Sequence, residues 1–240
     1  VLVTGANKGI GYGICKFLCK SGWQIIVGAR NAKRAEEAIK SLKAEGVDVL
    51  GWQYVNLSDN SSLEQTAKEV KEKYADLELL VNNAGIPGDM EVPSYESEMQ
   101  DVKDTIQVNY VGTFCLTKAL ISLLSANKGR IVNITVPSEV SPYWHPMAYV
   151  TSKAAQNAMT SIMAMEFEKN NIPIEIFNIH PGATTTDLNN HYTGPGSHSI
   201  DVVSEKIAEV INDGKKHQGE FIELYPIAVS YTHLTLPTKR

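Results

Sequence analysis

The chain has 240 residues, 43% of them hydrophobic, and 27 acidic against 22 basic side chains give a formal net charge of -5. That is enough apolar material for one sizeable core, and no stretch reads as a linker that would divide it. The small, evenly spread negative charge excludes a basic stripe for nucleic acid and a polybasic membrane anchor, and no uninterrupted run of about 18 apolar residues reads as a membrane-crossing helix.

Cys15 and Cys19 stand four apart in a helical pattern and Cys115 stands alone. That spacing suits packing on one helix face and matches no metal or redox motif, so the thiols read as buried in a reducing, cytoplasmic setting. The first residues already form a strand, with no Met before them, so a leader upstream is left open. At the other end VSYTHLTLPTKR breaks the pattern and resembles a translated sequencing adaptor. We therefore expect one domain over 1–228 and a non-native tail over 229–240.

Apolar runs of strand length alternate with helical patterns along the chain. The first strand, 1–4, runs into Gly5-Ala6-Asn7-Lys8-Gly9-Ile10-Gly11 and a helix over 9–21. Gly5 permits a tight turn, and bare Gly9 and Gly11 would let backbone N–H groups and the helix N-terminus approach a pyrophosphate. A strand over 24–29 ends at Arg30, where an NAD-binding domain would carry an acid for the ribose hydroxyls. Arg30, Lys8 and Arg34 suit instead the extra phosphate of NADP(H), although a solvated helix start explains the neighbouring Lys33 and Lys40 equally well. Helices follow over 31–45, 59–74, 100–126, 144–170 and 200–213, and strands over 48–55, 78–82, 129–135, 173–179 and 219–224. Strands as continuously apolar as Leu79-Leu80-Val81 are covered on both faces, so the fold class is α/β, a doubly wound parallel sheet. The 144–170 helix carries Tyr149 and Lys153 one turn apart, a pair that also occurs by chance. His180, His191 and His198 match no metal-ligand spacing, so no metal is expected.

Asn82-Asn83-Ala84-Gly85, Asn109 within IQVNYVGTF, Tyr149-x-x-x-Lys153 and Pro181-Gly182 followed by Thr186 join the glycine turn in a consistent order. On these motifs the chain resembles the short-chain dehydrogenase/reductase family over residues 1 to about 227. TGANKGIG and GARNAKR are most similar to its NADPH-dependent carbonyl reductases. The resemblance implies a Rossmann fold, NADP(H) as cofactor and a small-molecule carbonyl substrate. It makes Tyr149 the general acid, with Lys153 lowering its pKa and reaching the nicotinamide ribose, and Asn109 holding a water that resupplies the proton. A plain side-chain bond from Asn109 to a neighbouring carbonyl stays open. Asn83 and Ala84 would lie along the cofactor. Asn56, where the family has Asp, and Leu57 would lie at the adenine, and Pro181, Gly182, Thr184 and Thr186 at the nicotinamide or pyrophosphate. Residues 183–200 would form a lid over the substrate.

One element of the pattern is missing. The family's serine, thirteen positions before the tyrosine, falls on Val136, and counting from Asn133 gives the same position. Ser138 shares its parity and is the expected stand-in, although it lies beyond Pro137. Loss of one such donor costs on the order of 100-fold to 1000-fold in turnover. An impaired NADP(H)-binding sensor or scaffold is therefore the alternative to an active reductase. Tyr143, Trp144, His145 and Met147 suggest an apolar or aromatic substrate wall, although core or subunit contact explains them equally well, and the 144–170 helix is expected to pair with a second copy of the chain.

Overall fold

The computed structural model describes residues 1–141 and 144–226. Seven parallel strands form one sheet in the order β3-β2-β1-β4-β5-β6-β7. They are β1 Leu2–Thr4, β2 Ile25–Ala29, β3 Val49–Tyr54, β4 Leu79–Asn82, β5 Arg130–Ile134, β6 Glu175–His180 and β7 Phe221–Glu223. The helices are α1 Gly9–Lys20, α2 Ala32–Ala44, α3 Asn60–Lys73, α4 Met99–Ile106, α5 Thr113–Ala126, α6 Met147–Lys169 and α7 Ile200–Asn212.

The period-two alternation of each strand builds both layers at once. Val3, Val27, Val81, Val132 and Phe177 face a cluster with α1, α2 and α7. Leu2, Ile26, Leu80, Ile131 and Ile176 face a second one with α3, α5 and α6. The second layer also holds a polar row. Asn82, Asn133 and Asn178 are register partners on adjacent strands. Asn82 donates to Asn133 Oδ1 (2.9 Å), and Asn133 donates to Asn178 Oδ1 (3.3 Å) and to Thr160 Oγ1 on α6 (2.8 Å).

Side chains start several helices: Asn31 caps α2, Asp59 caps α3 and Ser199 caps α7. Two helices depart from expectation in ways that bear on the site. The 144–170 helix begins at Met147, because Pro146 serves as its N-cap and a residue before proline, here His145, is turned away from helical backbone. The 100–126 helix contains a π-helical segment, Gln107–Gly112. There a β-carbon on Gly112 would run into the Leu57 carbonyl, so the bare residue lets this segment press against the β3–α3 turn. Met99–Ala126 is long and apolar enough to cross a membrane, with mean hydropathy 1.3, by length and composition alone. Its Leu116, Leu120 and Leu124 are fully buried against the sheet, as in a core helix.

The chain leaves β1 for β2 on one side and later returns to β4 on the other, so the turns after β1 and β4 open a crevice at the carboxyl ends of the strands. Every loop that follows a strand emerges at this same end.

Candidate active site

Thr4, the last residue of β1, joins the two turns of the crevice. Its Oγ1 accepts from the backbone N–H groups of Asn83 and Ala84, both at 3.0 Å, and the Asn83 side chain donates back to the Thr4 carbonyl at 2.9 Å. Gly5 has φ 66° and Gly9 φ 59°, backbone that favours glycine. A β-carbon on Gly11 would lie 2.5 Å from Asn83 Nδ2 and 2.6 Å from the Gly5 carbonyl oxygen, so the close approach of these turns requires a bare residue. No side chain caps the N-terminus of α1. An uncapped helix start under a glycine turn fits a dinucleotide's phosphates.

The residues expected around the nucleotide divide. Asn7, Lys8 and Arg34 line one cleft of about 280 Å³, which also carries Glu37. Arg30 is exposed at the end of β2 and does not line it. Lys8 forms an ion pair with Asp187, in the segment after β6, and His191 Nε2 lies 3.0 Å from the same carboxylate. The Lys8 hydrogen bond holds the Asp187 carboxyl below its usual range. Asn56 Oδ1 accepts from the Ser58 hydroxyl at 2.7 Å, and Leu57 is buried with its carbonyl accepting from Gln107 at 3.2 Å. Ile10 lies partly buried against the core at the start of α1.

Tyr149 and Lys153 face inward from the first turns of α6, 7% and 2% exposed. Lys153 Nζ donates to the Ile134 carbonyl at the end of β5 (2.8 Å) and to Gln156 Oε1 (3.1 Å), and it lies 5.9 Å from the Tyr149 ring centroid. Burial pulls the ammonium down from 10.5 to about 8. Burial also pushes the Tyr149 phenol above its ordinary value, the reverse of the lowering expected from the sequence, because loss of water disfavours the phenolate. The phenol is thus protonated at neutral pH.

Asn109 is fully buried in the π-helical segment. It receives from Ile86 N–H (2.8 Å) and donates to the Ile86 carbonyl (2.9 Å) and Ser152 Oγ (3.0 Å). Ser152 in turn donates to the Tyr149 carbonyl at 2.7 Å, so Asn109 fastens the β4–α4 loop to the turn of α6 that carries Tyr149. It does not touch Lys153 directly. A β-carbon on Gly85 would stand between them, 3.1 Å from Asn109 Oδ1 and 3.8 Å from Lys153 Nζ.

Ser138 is exposed just after β5. Its Oγ accepts from Asn157 Nδ2 at 3.0 Å, and the same amide holds the Val136 carbonyl at 2.9 Å. Asn157 stands eight residues beyond Tyr149 on α6, about 12 Å of helix axis. Trp144, 38% exposed, meets the Tyr149 ring edge-on at 5.5 Å. His145 is exposed and takes the Ser141 carbonyl, Met147 opens α6, and Tyr143 lies outside the described residues.

After β6, Pro181 is buried and Gly182 lies against the Tyr225 ring, which stacks on His198 at 3.5 Å. Thr184 is buried and donates to the Gly182 carbonyl, and Thr186 caps the short turn Asp187–Asn189. His180 faces Glu223 at 3.9 Å, with burial pulling its ring down to about 4. Each of the three histidines thus has its own neighbour. Among the described residues no group of three metal-ligating side chains converges.

Gln156 and Asn157 were not singled out from the sequence. Tyr149, Lys153, Gln156 and Thr160 recur at helical spacing as polar residues on a buried face, and that signal could have found the first of them.

Comparison with known proteins agrees with this geometry. The family model described as short chain dehydrogenase matches residues 1–194. The 3-oxoacyl-[acyl-carrier-protein] reductase FabG of Staphylococcus aureus is 34% identical over 192 residues, 78% of this chain and 75% of that protein. An alcohol dehydrogenase of the archaeon Thermococcus sibiricus, solved with 5-hydroxy-NADP, superposes with TM-score 0.79 at 26% identity, covering 93% of this chain and 94% of that one. A 3-oxoacyl-[acyl-carrier protein] reductase of Brucella melitensis, solved with NAD, superposes with TM-score 0.81 at 23% identity, covering 92% and 93%, and speaks for the fold alone. With the glycine turn, the Asn-Asn-Ala-Gly turn and the buried tyrosine–lysine pair in place on a matching sheet, the chain belongs to the short-chain dehydrogenase family of oxidoreductases.

Proposed function

We propose that the protein is an NADP(H)-dependent reductase of a small ketone, aldehyde or quinone, with Tyr149 as proton donor. The observation that carries this reading is the buried Tyr149–Lys153 pair at the carboxyl end of the sheet. When bound, the dinucleotide supplies hydride to the carbonyl carbon. Tyr149, kept protonated by burial, gives its proton to the carbonyl oxygen. Lys153, mostly charged at neutral pH, stabilises the phenolate left behind. Asn109 and Ser152 keep that turn of α6 in register with the loop after β4. Lys8 and Arg34 on one cleft, Arg30 nearby in sequence, and no acid at the end of β2 support NADP(H) over NAD.

A second reading, a dinucleotide-binding protein without turnover, is favoured by Val136 in the serine's place. NADPH consumption against diketones, quinones and aldehydes separates the two. Carbonyl-dependent turnover that Tyr149→Phe abolishes supports the reductase. Tight NADPH binding without turnover, in the native chain and in Val136→Ser alike, refutes it. Ile162 and Met165 remain exposed on α6 at 52% and 62%, which supports a second copy of the chain as partner of that helix. Sedimentation of Ile162→Lys against the native chain tests the pairing.

A further inference from the structure

We propose that Gln156 is a positioning residue for Lys153, its side-chain oxygen holding the ammonium charged and seated at the end of β5. The inference rests on the reading of Tyr149 as proton donor assisted by Lys153. Gln156 is 1% exposed, and an amide so deeply buried needs a partner. Its oxygen lies 3.1 Å from Lys153 Nζ, three residues earlier on the same helix face.

The surroundings make that contact matter. From β5 the ammonium meets the Ile134 carbonyl, from the loop after β4 it meets Gly85 with Asn109 behind it, and from α6 it meets Tyr149 and Gln156. Tyr149 is the one titratable group in that set, and no carboxylate pairs with Lys153 among the described residues. Burial pulls against the charge, so neutral acceptors must support it. Two of the three N–H groups are engaged, one by a backbone carbonyl that no substitution removes and one by Gln156. The third is left for a ribose hydroxyl or the phenol. Gln156 is therefore the side chain through which the charge of Lys153 is adjustable.

The test is a titration of the full chain carrying ¹³Cε-labelled lysine, followed by NMR, with Lys153→Met assigning the signal. The native midpoint is expected near 8. Gln156→Met, which keeps length and loses the acceptor, is expected to lower it by about one pH unit, and Gln156→Glu to raise it. Coincident midpoints in native chain and Gln156→Met, both melting cooperatively, overturn the proposal. Should Gln156→Met not fold, the isosteric Gln156→Glu decides, and a midpoint that fails to rise is the overturning result. The alkaline limb of kcat with phenanthrenequinone is measured in parallel. A midpoint that moves while native chain and Val136→Ser both fail to turn over diketones, quinones and aldehydes upholds the role of Gln156 and sinks the reductase reading. Turnover with an unmoved midpoint does the reverse.

Discussion

Replacing Asn133 by Ala removes the middle of the asparagine row, and the structure gives the cost. Asn133 accepts from Asn82 Nδ2 at 2.9 Å and donates to Thr160 Oγ1 at 2.8 Å and Asn178 Oδ1 at 3.3 Å, and all four residues are fully buried or nearly so. Some partners keep an alternative: Asn82 also donates to Thr117 at 3.0 Å, and Thr160 donates to Asn178 at 2.7 Å. One N–H of Asn82 and one lone pair of Thr160 are then left without a partner. At about 1–3 kcal/mol for each stranded group, with a small void added, Asn133→Ala should lose about 3 kcal/mol. Urea unfolding followed by circular dichroism measures this, provided the slope with denaturant is unchanged. A loss under about 1 kcal/mol would refute the reasoning, since it would mean that the row contributes no more than a solvated amide.

Gly11→Ala should weaken NADPH binding at least tenfold by fluorescence titration, because the added methyl meets Asn83 and the Gly5 backbone at 2.5 and 2.6 Å. Arg34→Glu, on the cleft shared with Lys8, should raise the Kd for NADPH while leaving that for NADH nearly unchanged. His217 sits between Glu220 (2.6 Å) and Asp213 (3.1 Å). Burial alone would lower its pKa, yet these bonds hold it above the ordinary value. A raised histidine pKa adds stability that is complete below the unfolded value, near 6.5, and is lost as pH rises through the folded value. His217→Gln should therefore depress Tm at pH 5.5 and much less at pH 9, and an equal drop at both would refute the charge argument.

The alternation of apolar strands with amphipathic helices made all seven strands legible, because a parallel sheet buried on both faces leaves continuous Val, Ile and Leu runs. The glycine turn and the Tyr149–Lys153 pair were legible for a related reason: their chemistry depends on local spacing. What was hidden depends on tertiary contact. The π-helical segment at Asn109 follows from Gly112 meeting Leu57, more than fifty residues earlier in the chain. Strand parity was used to place Ser138, but regular pleating ends at Ile134, and the Asn157 amide from α6 then donates to the Ser138 hydroxyl oxygen. The direction of the Tyr149 shift likewise depends on how completely the surrounding loops exclude water.

The asparagine row also guards the alignment of the strands. A slip of one residue in β5 would turn Asn133 into the apolar layer built by Val81, Phe177 and Val203, away from its partners Asn82, Thr160 and Asn178. The same slip would present Val132 to Thr160 and to the stranded amides of Asn82 and Asn178. Mispaired sheets are thus penalised on both faces at once, and β4, β5 and β6 are held to one alignment.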